Sequence, residues 1–292
     1  MFDPTLYGVI SQIESDRIVL PAMQRPFVWK EDRITRLIDS LLRGFPLGTI
    51  LLWKTKTMQR YRRFQRDIDS DVLEVFKFEK AEDDDRYLVL DGQQRLTSLL
   101  SALRGTYNNK RVFLDVLSGD STDKDPGDEY YDSRFLTDGE VLKLNDTSNG
   151  VSCYYIPLQE LTKVEAVYAA TIAFEKSQKL GLNAEQTKQI TNTYLRCATI
   201  MGGHRALQVH LIDENEVNVT PLEEILEIFV RVNSGGLVLQ KSDLLMSLLD
   251  LKWNDIQPHL QLLVRELNSN KPFNFTRDDI LKEPSHRSWF GD

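Results

Sequence analysis

Three consecutive elements decide the fold of this chain, and they lie in the stretch Tyr87-Leu88-Val89-Leu90-Asp91-Gly92-Gln93-Gln94-Arg95. The apolar run at its start is typical of a buried strand. Residues 91–94 are predicted to form a turn, and a helix is predicted over residues 95–104 because leucines recur there at helical spacing. A strand that opens through a tight turn into a helix predicts a domain of mixed α/β type.

The backbone of this turn suits an anionic ligand, because the first N–H groups of a helix have no intrahelical acceptor and the helix dipole favours negative charge there. Gly92 permits a close approach of the ligand or a positive φ. Gln93 and Gln94 add neutral donors and acceptors, and Arg95 adds a bidentate clamp for phosphate. Asp91 is a candidate for holding Mg²⁺ or orienting a water.

A purely structural interpretation of the same turn explains the residues equally well. In it, Asp91 caps the helix and Arg95 makes a surface ion pair. A motif of five residues is not specific enough to decide between the two.

A second candidate segment precedes the first long helix and reads Leu20-Pro21-Ala22-Met23-Gln24-Arg25-Pro26-Phe27-Val28-Trp29. Its two prolines restrict the backbone on either side of Arg25, which favours a functional role for that guanidinium. For Trp29, packing into the core is favoured over stacking on a base.

A third candidate segment reads Phe229-Val230-Arg231-Val232-Asn233-Ser234-Gly235-Gly236-Leu237. From the residues alone we favour a plain corner between two helices, with Asn233 or Gly235 in the left-handed conformation. In the functional alternative, Arg231 and Asn233 point into the same pocket as Arg95.

Composition indicates a folded, cytoplasmic protein. The chain has 292 residues, is 41% hydrophobic and carries a net charge of −8. No apolar run approaches the roughly 18 residues of a membrane helix, and no secretion signal is evident. Two isolated cysteines, Cys153 and Cys197, fit a reducing compartment as ordinary buried residues.

One basic stretch, residues 54–66, contains lysines and arginines without an acid. A solvated hairpin or loop is the favoured interpretation of this charge block. A phosphate-contacting arm is the alternative, since Tyr61 and Phe64 lie among the arginines.

The remaining predictions concern elements and domain organisation. An α+β chain is expected, with residues 1–150 forming an N-terminal domain around a small mixed sheet and residues 151–292 a mainly helical domain. Long insertions are expected at 54–86 and 118–150, the latter mostly irregular. The other predicted elements are helices over 31–43, 159–180, 184–201 and 242–252, helices starting at 221 and 276, a helix ending near 267, and strands over 48–53, 111–117 and 205–213.

Taken in order, four blocks resemble the GmrSD-type N-terminal family. They are the proline-flanked segment at 20–29, Phe-Pro-Leu-Gly-Thr-Ile at 45–50, Leu-Asp-Gly-Gln-Gln-Arg-Leu-Thr-Ser-Leu at 90–99, and Phe-Val-Arg-Val-Asn-Ser-Gly-Gly-Leu at 229–237 with the later Asp243-Leu244-Leu245. The family is associated with bacterial modification-dependent restriction and anti-phage defence. The resemblance implies a ParB/sulfiredoxin-like fold and hydrolysis of a nucleoside triphosphate with Mg²⁺.

The resemblance also implies a set of site residues. Asp91, Gln94 and Arg95 would be catalytic, and Asp91 would hold the metal. Gly92 and Gln93 would bind the nucleotide phosphates. Gln24 and Arg25 would face that site, and Arg231 and Asn233 would complete it from the helical half.

This chain departs from many relatives in one respect. A C-terminal nuclease module of the His-Asn-His type is common in the family, whereas the four histidines here are scattered, so DNA cleavage by this chain is not predicted. The expected function is therefore that of an NTPase that senses DNA, and the resemblance implies that this is modified phage DNA. A nuclease module or subunit is the expected partner. A homodimer is a further alternative. The alternative is a non-enzymatic module that binds DNA or nucleotide and gates a partner nuclease.

Overall fold

The structure is a computed structural model that describes residues 2–21, 26–55, 60–69, 79–80, 86–119, 125, 127–148, 150–202, 207–213, 222–234, 262–266 and 268. Its named helices are α1 (Leu6–Glu14), α2 (Glu31–Arg43), α3 (Gln93–Arg104), α4 (Asp138–Leu144), α5 (Leu158–Leu161), α6 (Ala166–Leu180), α7 (Ala184–Gly202) and α8 (Leu222–Ser234). Its strands are β1 (Ile18–Pro21), β2 (Thr49–Thr55), β3 (Arg60–Arg62), β4 (Glu79–Lys80), β5 (Arg86–Asp91), β6 (Arg111–Asp115), β7 (Ser133–Leu136), β8 (Tyr155–Pro157) and β9 (Gln208–Asp213).

The main sheet is mixed, as predicted, and has the strand order β4-β3-β1-β5-β2-β9. Strand β5 lies in its interior, parallel to β1 and antiparallel to β2. Both faces of β5 are buried, because Val89 belongs to one apolar cluster and Leu88 and Leu90 to another. This double burial explains why the strand is a continuous apolar run rather than an alternating one.

Two hydrophobic clusters flank the sheet. The larger contains Ile18, Ile50 and Val89 together with buried residues of α1, α2 and α3. The smaller contains Trp53 and Leu90 together with Ile225 and Phe229 of α8, which lie one helical turn apart and form the buried face of that helix. The turn that follows β5 therefore lies at the end of a strand covered on both sides.

A second sheet, with the order β7-β6-β8, is built partly from a segment that the sequence predicted to be mostly irregular. Strand β7 and helix α4 both lie within residues 118–150 and are exceptions to that prediction, whereas most of the described residues of this segment are irregular, as predicted. Helix α4 begins with a full capping box, in which Thr137 accepts from the Glu140 amide and Glu140 accepts from the Thr137 amide. The Thr-x-x-Glu spacing was the overlooked signal.

Helix boundaries follow local signals closely in most places. Helix α2 matches its predicted bounds, and Gly44 ends it in the left-handed conformation at φ 76°. The helix predicted over 159–180 is instead divided into α5 and α6. Thr162 donates its hydroxyl hydrogen bond to the Leu158 carbonyl at 3.0 Å at this break, a local contact that competes with helix continuation.

The large cluster draws residues from both sides of position 150, including Ile190 and Cys197 of α7 alongside Leu6 and Leu99. Cys197 is buried as predicted, and burial raises the pKa of its thiol to about 12. Trp29 packs against the same cluster, as predicted.

Among the described residues, no helix is long and apolar enough to span a membrane. The helices predicted over 242–252 and from 276 lie outside the described residues, and the one predicted to end near 267 is described over 262–266.

Candidate functional site

The candidate site is the turn between β5 and α3. Gly92 is the N-cap residue of α3 and has a φ of 96°, so the helix begins at Gln93, two residues earlier than predicted. A Cβ at Gly92 would lie 2.3 Å from Ile50 Cδ1. Both the backbone angle and this close approach require glycine here. Asp91, which the structural interpretation made the cap, is instead the last residue of the strand.

The first turn of α3 lacks a side-chain cap. Within the described part of the chain, no side chain caps this helix. Its first intrahelical bond runs from the Leu96 amide to the Gly92 carbonyl at 2.9 Å, so the amides that precede Leu96 have no acceptor in the helix itself. Amides of this kind, with the positive end of the helix dipole behind them, form the type of site at which phosphate binds.

Arg95 bridges this turn to the start of β2. Its guanidinium donates to the Leu47 carbonyl at 2.7 Å, to the Thr49 carbonyl at 2.8 Å and to Asp91 Oδ2 at 2.9 Å. Gly48 lies between the two carbonyls at φ 85°, and a Cβ there would lie 2.5 Å from Arg95 Nη1. Arg95 is thus engaged in holding the protein's own backbone, and its charge is balanced by Asp91.

Asp91 keeps one side accessible. Its side chain is 33% exposed, and only Oδ2 is engaged by Arg95. Among the described residues none donates a hydrogen bond to Oδ1. No group of three potential metal-ligating side chains is found in the described ranges. A Mg²⁺ ion at Asp91 would therefore take most of its ligands from phosphate and water, which is how Mg²⁺ is commonly held.

Gln94 joins α3 to the proline-flanked segment. Its Oε1 accepts a hydrogen bond from the Val28 amide at 2.9 Å, and its Nε2 donates to the Pro26 carbonyl at 3.0 Å. The side chain is 8% exposed, and Gln93 beside it is also buried. Gln94 therefore positions residues 26–28 against the first turn of α3. Gln24 and Arg25 lie outside the described residues.

Arg231 is placed differently from the other candidates. It lies on the side of α8 away from Ile225 and Phe229, with 76% of its side chain exposed, and it forms a close ion pair with Glu227. Helix α8 ends at Ser234, within the segment 229–237 where the corner between two helices was predicted. The structure thus brings together Asp91, Gln94 and Arg95, and within the described part of the chain Arg231 pairs with Glu227 rather than with any of these three.

The basic stretch at 54–66 is divided between buried and exposed residues. Tyr61 and Arg62 are buried, and Lys54 forms an ion pair with Asp213 at 2.9 Å. Arg63 and Arg66 lie in a loop with 57% and 59% of their side chains exposed, which fits the favoured interpretation of a solvated loop for this part. The alternative of a phosphate-contacting arm stays a prediction.

Sequence reasoning did not identify the backbone partners of the site, namely the carbonyls of Pro26, Leu47 and Thr49 and the amide of Val28. A signal for one of them was present. Gly48 follows Pro46-Leu47 directly before an apolar strand, and a glycine in that place often marks a positive φ or a close approach.

Two comparisons relate this chain to known proteins. The chain is 33% identical over 103 residues to an uncharacterized protein of Methanocaldococcus jannaschii, a match that covers 34% of this chain and 16% of that protein. This chain therefore corresponds to a small part of that relative. A family model described as the N-terminal domain of the GmrSD restriction endonuclease matches residues 6–249, which include the turn, the proline-flanked segment and α8. The chain belongs to the GmrSD restriction endonuclease N-terminal domain family.

Proposed function

We propose that this chain is the nucleotide-hydrolysing and DNA-sensing N-terminal part of a modification-dependent restriction protein. The observation that carries the proposal is the uncapped first turn of α3, which lies directly beside the accessible oxygen of Asp91. The family membership supports the restriction role, and a ParB/sulfiredoxin-like fold belongs to the same proposal.

The phosphate contacts are assigned first to backbone amides. The N–H groups at the start of α3 would donate to the phosphate oxygens, and Gly92 would admit a phosphate without steric conflict because it has no Cβ. The buried neighbours Leu90 and Ile50 keep water from competing on the inner side of the turn. Amides fixed in this way need no reorganisation when charge develops on the phosphate.

The carboxylate of Asp91 has two roles in the proposal. Through Oδ2 it holds Arg95, and through Oδ1 it would hold Mg²⁺ together with the nucleotide. The ion would neutralise charge on the phosphate oxygens. A triphosphate would also attract Arg95, whose side chain is 19% exposed and directed at Asp91. Arg95 would bond either to the backbone carbonyls of Leu47 and Thr49 or to the nucleotide. Two alternative positions of this kind can act as a switch.

Arg25 is the second proposed arginine. Arg25 directly precedes Pro26 in the sequence, and the Pro26 carbonyl accepts a hydrogen bond from Gln94. Consecutive Cα atoms are about 3.8 Å apart, and this short separation supports a contact between Arg25 or Gln24 and a ligand at α3. A contact of Arg231 with the nucleotide requires its side chain to leave Glu227, and Asn233 would act from the same end of α8. We therefore assign the first contacts to α3.

Phosphate release from ATP, GTP, CTP and UTP tests the proposal. We expect measurable release with Mg²⁺ from the wild-type chain and a loss of about tenfold or more in Asp91→Asn, since a neutral amide is a poor ligand for Mg²⁺. Asp138→Asn is a matched control, because Asp138 also pairs with an arginine but lies on α4. Wild-type release equal to the buffer background with all four nucleotides would remove the enzymatic claim.

A second function is favoured by one observation. Three N–H groups of Arg95 are already bonded within the protein, so the turn is partly filled by its own side chain. This supports a non-enzymatic module that binds DNA or nucleotide and gates a partner nuclease. DNA affinity that falls steeply with salt, in the absence of any nucleotide turnover, would establish this alternative.

A further inference from the structure

The first part of α6 carries no charge over about two and a half turns. Residues 166–174 read Ala-Val-Tyr-Ala-Ala-Thr-Ile-Ala-Phe. Among them only Ala169 and Ala173 are buried, and both belong to the large hydrophobic cluster that also contains residues of α7. A helix that is apolar on all sides is ordinarily covered on all sides. This helix buries its small side chains and leaves the larger ones outside.

Four large apolar side chains of this segment are exposed. Val167 is 74% exposed, Tyr168 58%, Phe174 54% and Ile172 39%. Successive residues of a helix are about 100° apart, so these four side chains lie on the side of α6 away from α7, around the exposed Thr171. We call these five residues the α6 patch. Single apolar residues on a surface are common, whereas a contiguous group of this kind marks a contact with another molecule.

The α6 patch is complementary to a second copy of itself that runs in the opposite direction. Val167 and Phe174 lie on one side of Thr171, and Tyr168 and Ile172 lie on the other. A two-fold axis beside Thr171 would place Val167 against Phe174 of the second copy, because the two residues are equally far from the axis. The same axis would place Tyr168 beside Ile172. The small Thr171 lies at the centre, where two helices approach most closely.

The charges at the two ends of the α6 patch fit the same pairing. Glu165 precedes the patch, Glu175 and Lys179 follow it, and all three residues are exposed. Within the described part of the chain, neither Glu165 nor Lys179 forms an ion pair. Antiparallel pairing would bring Lys179 to Glu165 of the second copy. Glu175 would lie beside the first turn of the other α6, where the helix dipole favours a carboxylate. A parallel pair would instead bring like charges together, which is unfavourable.

We propose that this chain forms a two-fold symmetric dimer in which α6 packs antiparallel to α6 of a second copy. Each apolar contact and each ion pair then occurs twice, as in any interface that uses the same surface of both subunits. One helix from each copy forms an interface at the small end of the range for specific complexes, so we expect association at micromolar concentrations. The turn at 91–95 takes no part in this contact, and the inference therefore does not depend on the proposed nucleotide hydrolysis.

Sedimentation equilibrium of the full chain, without nucleotide, tests the proposal. We expect a monomer–dimer equilibrium. Tyr168→Glu introduces a charge into the patch of both copies and should raise the dissociation constant of the dimer by about a hundredfold or more. Tyr7→Glu is a matched control, because Tyr7 is 57% exposed but lies on α1, and it should leave the dissociation constant unchanged. A chain that stays monomeric, or equal effects of the two variants, overturns the proposal.

Exchange of the two end charges tests the direction of the helices. Lys179→Glu and Glu165→Lys, each alone, place like charges together and should weaken the dimer by about fivefold. The variant that carries both substitutions restores opposite charges and should regain most of the wild-type affinity, since the two sites are coupled only across the interface. Recovery in the double variant supports the antiparallel pair. Additive losses would overturn it, because the two residues would then not meet.

Discussion

The turn at the end of β5 and the second sheet each hold an aspartate, and the two carboxylates lie in opposite environments. At the turn, the Asp91 side chain is 33% exposed and pairs with Arg95 through Oδ2. In the second sheet, Asp115 is buried and accepts hydrogen bonds from the Leu117 and Tyr154 amides. The first carboxylate is therefore accessible to a ligand, whereas the second holds the protein's own backbone. The comparison predicts separable effects of mutation.

The largest expected effect comes from Gly92→Val. The new side chain would meet Ile50, and a β-branched residue is strained at a φ of 96°. We expect a loss of about 3 kcal/mol in the free energy of unfolding, as for combined backbone strain and overpacking. Urea denaturation measures it.

Gly150→Val is the matched control for that variant. Gly150 has a φ of 93°, but a Cβ there would have nothing within 4 Å. The difference between the two variants isolates the contact with Ile50. Equal losses would show that the turn is not tightly packed, which removes the stated reason for glycine at 92.

Gln94→Ala should have the next largest effect on stability. It leaves the Val28 amide and the Pro26 carbonyl without their partner, which costs about 2 kcal/mol for partly buried groups. Faster hydrogen exchange at the Val28 amide is the specific measurement. Gln178→Ala, an exposed site on α6, is the control, and slow exchange at Val28 in Gln94→Ala would contradict the assigned contact.

The extent to which the sequence predicted these two regions differs for a physical reason. Helix α2, strand β5 and most of α3 follow from apolar periodicity and glycine ends, which are local signals. Asp91, Gln94 and Arg95 were identified, but the carbonyls that Gln94 and Arg95 reach are backbone atoms 46 to 68 residues away. No side-chain pattern specifies which carbonyl a guanidinium will reach, so the geometry had to come from the fold.

The second sheet was missed for a related reason. Strand β7 is short and follows an acidic, glycine-containing stretch, a composition that is typical of irregular structure. The capping signal at Thr137 was therefore overlooked.

Asp115→Asn alters the pH dependence of stability near the second sheet. Burial raises the pKa of Asp115 above its ordinary value of 3.8. An acid with a raised pKa stabilises the fold below its ordinary value, and this contribution is lost as pH rises through the raised pKa. Asparagine keeps the acceptor used by the Leu117 and Tyr154 amides.

We therefore expect the stability difference between Asp115→Asn and the wild type to move in favour of the variant as pH rises above 3.8, with no effect on the α3 turn. Thermal melting from acid to neutral pH measures the difference. A constant difference across that interval would contradict the desolvated environment.

The smallest stability effect is expected for Arg231→Ala. An exposed ion pair at i, i+4 contributes less than about 0.5 kcal/mol, so unfolding should hardly change. Phosphate release is the informative measurement here. A strong loss of release with unchanged stability would place Arg231 in the nucleotide site and extend that site to α8; unchanged release would confine it to α3 and the proline-flanked segment.

The two hydrogen bonds of Gln94 involve only main-chain atoms of Pro26 and Val28. Such an anchor is indifferent to the side chain at position 28, and it tolerates every residue there except proline, which has no N–H to donate. The segment can therefore diversify its surface for different partners or substrates while its distance from the turn stays constant. Gln94 thus fixes the position of the segment without restricting the side chain at position 28.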